Sequence, residues 1–260
     1  MKKILLTTII IMIGINLNAG KLDNYIKDCD KGNAKKCCSV GMIYADAEEG
    51  VKQDYFQAVK FYTKACNGGN AQGCNNLGTI YTNANTGVKK NYIQAIKLYR
   101  KACNGGFALG CSNLGGMYFD AHGVELNISM AIKYFRKACD GGDIMGCSNL
   151  GSAYIKEGIT QDYVQALKFC TKACDGGHAT GCSNLATIYF MGYGVTQNEL
   201  MAIKYFRKAC NGGNAQGCSD LGIIYYNQGG RYDFEAKKYF RKACAIGSIQ
   251  LCRKVNALKF

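Results

Sequence analysis

An all-α solenoid of short helix-turn-helix repeats, stapled by disulfides, is the fold class this sequence predicts, and three observations predict it. One motif recurs along nearly the whole chain, its cysteines keep a fixed spacing, and the apolar residues between them follow a helical period. The segments FYTKACNGGNAQGCNNLGTIY, LYRKACNGGFALGCSNLGGMY, YFRKACDGGDIMGCSNLGSAY, FCTKACDGGHATGCSNLATIY and YFRKACNGGNAQGCSDLGIIY are variants of one unit. The leading cysteines are Cys29, Cys66, Cys103, Cys139, Cys174, Cys210 and Cys244, at steps of 37, 37, 36, 35, 36 and 34 residues. Each has a mate eight residues on, at Cys37, Cys74, Cys111, Cys147, Cys182, Cys218 and Cys252.

Each unit contributes two helices, called A and B here. In the first full unit Tyr55, Ala58, Val59, Tyr62 and Ala65 recur at the spacing of one helical stripe, which defines a helix B. It stops at Asn67-Gly68-Gly69, where a glycine can take the left-handed conformation that closes a helix. Asn70 then caps the next helix A, with Asn33, Asp143, Asn214 and Ser248 equivalent, whereas Phe107 and His178 depart from the pattern. Helix A carries Cys74, Leu77 and Tyr81 on one face. A small residue stands beside the leucine in every unit (Gly41, Gly78, Gly115, Gly151, Ala186, Gly222), which implies close helix crossing. The turn from A to B has Gly50, Gly87, Gly123, Gly158, Gly194 or Gly229, followed four residues later by Asp54, Asn91, Asn127, Asp162, Asn198 or Asp233, the expected caps of helix B. The expected helix pairs are 37–66, 74–103, 111–139, 147–174, 182–210 and 218–244, with a half-unit at each end of a solenoid over 20–260.

In this layout Cys66 lies in the last turn of one helix and Cys74 in the first turns of the next. A bridge between them closes a short loop between repeats and stabilises by about 2.5 kcal/mol on loop entropy alone. Cys38 and Cys170 are left over. Cys170 takes the apolar position held elsewhere by Tyr62, Tyr99, Phe135, Phe206 and Phe240 and reads as an inert buried thiol. Cys38 stands where other units have Asn75 or Ser112, and it is a candidate reactive thiol if exposed. Zinc sites need closely paired ligands such as C-x2-C, which are absent from the sequence, so no metal or other cofactor is expected.

Residues 1–19 read as a signal peptide: Lys2 and Lys3 give the charged start, Ile4 to Ile15 the apolar stretch, and Leu17-Asn18-Ala19 the cleavage site. Export agrees with sixteen cysteines in 260 residues, since disulfides persist in oxidising compartments. The expectation is a secreted or periplasmic monomer without a membrane-spanning segment. Its formal charge of +14, or +12 without Lys2 and Lys3, favours acidic partners. No nucleic-acid-binding signature is present, and an exported chain is not expected to meet nucleic acid.

The pattern L-G-x-x-Y, then G-V with an acidic or amide residue, then A-x-K-Y-x-K-A, resembles the Sel1-like, tetratricopeptide-related repeat throughout the mature chain. With the C-x7-C staple added it resembles the exported Helicobacter cysteine-rich proteins. The resemblance implies weak penicillin binding, slow β-lactam hydrolysis and secreted factors sensed by a host. For Sel1-like repeats in general it implies protein-interaction scaffolds.

Two functions follow as expectations. The first is a binding module for a peptide, a cell-wall fragment or a host or envelope protein, built on the polar residue that precedes the helix-A leucine: Asn76, Asn113, Asn149, Asn184 and Asp220, with Ser39 in the first unit. Amides at repeat spacing can hold an extended chain by its backbone, and they can equally satisfy their own neighbouring turn; both readings are open. The second is a β-lactamase, opening the β-lactam ring of penicillins and cephalosporins, as the resemblance implies. The sequence has no S-x-x-K, S-D-N or K-T-G motif, only His122 and His178 as histidines, and no assignable catalytic residue. Ser112, Ser148, Ser183 and Ser219 share one register, and residues that repeat usually serve the repeat. Phe107, Leu109, Met145, His178, Met191 and Tyr193 break the consensus, as a contact patch or as filling for uneven joints. The cations ending helix B, such as Lys64, Arg100, Lys101, Arg136 and Lys137, suit the helix dipole and a solvated face. They also allow a basic stripe for acidic polymers.

Overall fold

The computed structural model describes residues 20–156 and 162–247. The proposed signal peptide, Gly158, Ser248 and Cys252 lie outside the described residues. Among those described, the chain is helical throughout, with no strand. A first helix, α1 (20–30), precedes α2 (Ala34–Asp46), α3 (Tyr55–Asn67), α4 (Ala71–Thr82), α5 (Tyr92–Asn104), α6 (Ala108–Phe119), α7 (Ile128–Asp140), α8 (Ile144–Ile155), α9 (Tyr163–Asp175), α10 (Ala179–Met191), α11 (Glu199–Asn211), α12 (Ala215–Gln228) and α13 (Asp233–Ala245). Even-numbered helices are the A helices and, from α3 on, odd-numbered ones are B. The chain forms two units, 1–126 and 127–260. Within each, consecutive helices pack on one another, from α2 to α6 in the first and from α7 to α13 in the second, and neighbouring A helices also touch (α2 with α4, α4 with α6, α8 with α10, α10 with α12). This is a solenoid of helix pairs.

Local chemistry sets the helix ends. Asn33, Asn70, Asp143 and Asn214 accept hydrogen bonds from backbone amides of the first turn of their A helices, and Asp54, Asn91, Asn127, Asp162 and Asn198 do so for the B helices. Two expectations are corrected. His178 does not break the pattern, because its Nδ1 accepts from the Gly181 amide at 3.4 Å. Asp233 is not a cap: a 3-10 turn, Gly230–Tyr232, takes the preceding place, and Asp233 becomes the first residue of α13. Phe107 makes no capping bond and packs instead against the core of the first unit.

The repeat core rests on small residues. Each B helix buries two alanines seven apart, such as Ala58 with Ala65 and Ala202 with Ala209, all fully buried. A Cβ on Gly73 would lie 2.6 Å from the Ala65 Cβ, and one on Gly217 would lie 2.8 Å from that of Ala209. These contacts let one helix begin against the end of the last, so the adjoining cysteines approach to Cα separations of 4.4 to 4.7 Å. Six C-x7-C pairs form disulfides, from Cys29–Cys37 to Cys210–Cys218. The seventh expected pair, Cys244 with Cys252, ends outside the described residues. The double glycine between them has two separate roles. Gly69 takes φ of 87°, the left-handed turn, while a Cβ on Gly68 would lie 2.7 Å from the Ala34 Cβ. The glycine beside the helix-A leucine leaves room for a B-helix side chain: a Cβ on Gly41 or Gly78 would press into Tyr62 or Tyr99 at 2.5 and 2.8 Å.

Candidate functional site

The residue before each helix-A leucine sits one helical step round from the buried stripe. Asn76, Asn113, Asn149, Asn184 and Asp220 are therefore partly buried, not lost in the core. Asn113 and Asn184 find their partners in neighbouring repeats, whereas Asn76 and Asp220 find theirs in their own helix. Asn113 Nδ2 donates to Asn75 Oδ1 at 2.9 Å, and Asn75 Nδ2 donates to Asn76 Oδ1 at 3.3 Å, forming an amide relay from α6 to α4. In the second unit Asn184 Nδ2 donates to Ser152 Oγ at 2.7 Å, tying α10 to α8. Asp220 accepts from Gln216 Nε2 at 2.7 Å, and burial raises its carboxyl above the usual carboxylate range while that bond opposes the shift. Among the described residues the Asn149 amide makes no hydrogen bond. The row thus joins A helix to A helix and spends only part of its hydrogen-bonding capacity, because an amide offers two donor hydrogens and two acceptor sites.

The electrostatics around the row are distinctive. Helices α4, α6, α8 and α10 contain no charged residue, and α12 contains only Asp220. The serines at the neighbouring register are not available for chemistry. Ser112, Ser148, Ser183 and Ser219 are all buried, and the hydroxyls of Ser112 and Ser148 have no hydrogen-bond partner. Cys38 and Cys170 are buried as well, and burial pushes their thiols up to about 11 and about 12. The exposed thiol needed for reactivity is therefore absent at Cys38, since the reactive form is the thiolate.

A second recurring arrangement lies where each B helix meets the following A helix. Arg100 donates to the Tyr118 hydroxyl at 3.0 Å, Arg207 donates to that of Tyr225 at 2.8 Å, and Arg136 pairs with Tyr154 in the same way. Two of these tyrosines also stack on an aromatic of the next B helix, Tyr154 on Phe169 at 6.2 Å and Tyr225 on Tyr239 at 5.7 Å, and Tyr189, at the same register, stacks on Tyr205 at 5.7 Å. Between α11 and α12 lies a cavity of about 470 Å³ lined by Leu200, Ile203, Lys204, Arg207, Tyr225 and Tyr232, among others. As a sequence pattern, Arg100, Arg136 and Arg207 suit the helix dipole or a basic stripe, and neither reading includes the bond to tyrosine. The signal for the pairing was the constant step of eighteen residues from arginine to tyrosine.

Comparison with known proteins follows the repeat. The Sel1 repeat pattern matches six times, at residues 37–70, 71–107, 108–143, 144–178, 179–214 and 215–248. The chain belongs to the Sel1 repeat family. No curated protein matches it significantly. Among solved structures, a protective antigen of uropathogenic Escherichia coli displaying an SLR fold is 26% identical, with a TM-score of 0.72 over 91% of this chain and 51% of that one. This Sel1 repeat chain therefore spans about half the length of that antigen. A Sel1 repeat protein from Oxalobacter formigenes, 24% identical, superimposes with a TM-score of 0.75 over 82% of this chain and 85% of its own, a likeness of fold. Helicobacter pylori cysteine-rich protein B is 27% identical over 66% of this chain and 97% of its own, with a TM-score of 0.31.

Proposed function

We propose that the protein is an exported recognition module in which the A helices of a unit hold an extended peptide or peptidoglycan-like chain. One observation carries the reading: partly buried amides at a single register of successive A helices within each unit, α4 and α6 in the first and α8 and α10 in the second, on helices that carry no charge. A peptide backbone alternates donors and acceptors, and amides whose capacity is only partly used can complement it at repeat spacing. An uncharged face also suits a ligand recognised by its backbone. Six disulfides support an oxidising extracytoplasmic setting, and the apolar run of residues 4–15 supports export. β-Lactam hydrolysis gains nothing from the serine register, since all four hydroxyls are buried.

The test is titration calorimetry of the oxidised protein with a muropeptide carrying its stem peptide, beside the variant Asn149→Ala. Asn149 holds no other side chain in place, so its loss is expected to weaken binding about tenfold while leaving the melting temperature unchanged. Equal affinity in both proteins would remove the amide row from recognition. The same preparations are incubated with benzylpenicillin, and turnover that falls in the variant would replace the binding reading with β-lactam hydrolysis.

A further inference from the structure

Each B helix repeats a second pattern that neither the amide row nor the core uses. Its second residue is large, apolar and exposed: Phe56 at 68%, Ile93 at 63%, Val164 at 69%, Leu200 at 80% and Phe234 at 74%, with Ser129 the exception. Nothing in the packing of a repeat calls for an apolar residue there, and exposed apolar side chains at a fixed register imply a surface to meet. Four residues further on, every B helix has a lysine: Lys60, Lys97, Lys133, Lys168, Lys204 and Lys238, all exposed. Residues four apart share a helix face.

These lysines differ from the lysines four residues beyond them, which serve the fold. Lys64 pairs with Asp30 at 2.7 Å, Lys208 donates to the Cys174 carbonyl at 2.8 Å, and Lys242 donates to Asn211 Oδ1 at 2.8 Å, each fastening one repeat to the last. Among the described residues none of the six lysines at the earlier position makes an ion pair. Five of them lie 5.4 to 6.0 Å from the ring of the aromatic residue that follows. Charge is thus segregated by element: free cations behind apolar tips on the B helices, none on α4, α6, α8 or α10.

We infer that the B-helix face docks on an anionic phospholipid surface, with the apolar tips entering the headgroup boundary and the lysines behind them meeting phosphate. Lysine with bulky apolar residues on one face is the chemistry of interfacial binding, and a lysine in every B helix with an apolar tip in all but α7 lets weak contacts add. No helix among the described residues is long and apolar enough to span a bilayer. The second unit offers three tips, Val164, Leu200 and Phe234. Acids stand beside two of them: Glu199 next to Leu200, engaged by Gln228 at 2.6 Å, and Asp233 with Glu235 beside Phe234. Val164 is therefore the least opposed anchor.

The experiment is cosedimentation of the oxidised protein with vesicles of phosphatidylcholine alone and of phosphatidylcholine with phosphatidylglycerol. Binding is expected only to the second, and it weakens as salt rises. K168Q/K204Q/K238Q together should weaken it on the order of a hundredfold, at roughly fivefold per lysine. V164S/L200S should weaken it with unchanged melting, because both side chains are exposed. Failure to bind the anionic vesicles overturns the inference. So does binding that ignores V164S/L200S and is competed away by soluble dextran sulfate, which would make the face a polyanion site. Muropeptide titration of the same variants is expected to match the parent, so this surface and the amide row fail or succeed separately.

Discussion

Asp220 stands where four other repeats have asparagine, and the exchange leaves a trace that pH reveals. Burial raises its carboxyl above the usual 3.8, with the Gln216 amide opposing through one hydrogen bond. A raised carboxyl binds its proton more tightly in the folded chain than in the unfolded one. Stability from the protonated form is therefore present at low pH and is lost as pH rises through the carboxylate range. Asp220→Asn restores the amide of the other repeats and removes the buried charge. It is expected to raise the melting temperature at pH 7 and to leave it unchanged at a pH well below 3.8, where the native carboxyl is neutral too. Thermal melts of both proteins at the two pH values check this, and equal melting at pH 7 would show that Asp220 is solvated enough to carry its charge freely. At the same scale the buried thiols of Cys38 and Cys170 are packing atoms. Cys170 lies under Gly151, in the space that Tyr62 fills beneath Gly41.

Helices and turns were legible in the sequence because their determinants are local. The caps Asn70 and Asn91 each bond the amide three residues on, and Gly69 answers a turn that its own neighbours impose. Legibility failed where a local rule had a second solution. His178 caps through a ring nitrogen, and an added 3-10 turn before α13 moves Asp233 from the cap to the first helical position. The candidate site was less legible for a different reason. The partner of Asn113 is Asn75, and that of Asn184 is Ser152, so each bond crosses into another repeat, where periodicity gives a register but no geometry. The staple was readable because its two cysteines flank one turn. Its element-scale consequence is that Cys66→Ala with Cys74→Ala should cost about 2.5 kcal/mol, measured by urea unfolding at equilibrium. A midpoint unmoved by the double substitution would mean that the Gly73–Ala65 contact alone holds α3 against α4.

For the molecule as a whole, repeats that touch only their neighbours give a stability that is a sum of local terms, so opening can begin at an end without the rest. The two free thiols report on this. Cys38 lies in α2, near the start of the first unit, and Cys170 lies in α9, with helix pairs on both sides within the second. Both thiols are held unreactive by burial, at about 11 and about 12, so modification requires local opening. With the disulfides intact, a thiol reagent under native conditions is expected to modify Cys38 faster than Cys170 by tenfold or more, since tenfold corresponds to only about 1.4 kcal/mol between a terminal and an internal opening. Peptide mapping of the labelled protein over time separates the sites. Equal rates would mean that the staples make the chain open as one cooperative body. The bridge between Cys29 and Cys37, which ties α1 to α2, would then protect the terminal repeat as well as its neighbours protect Cys170.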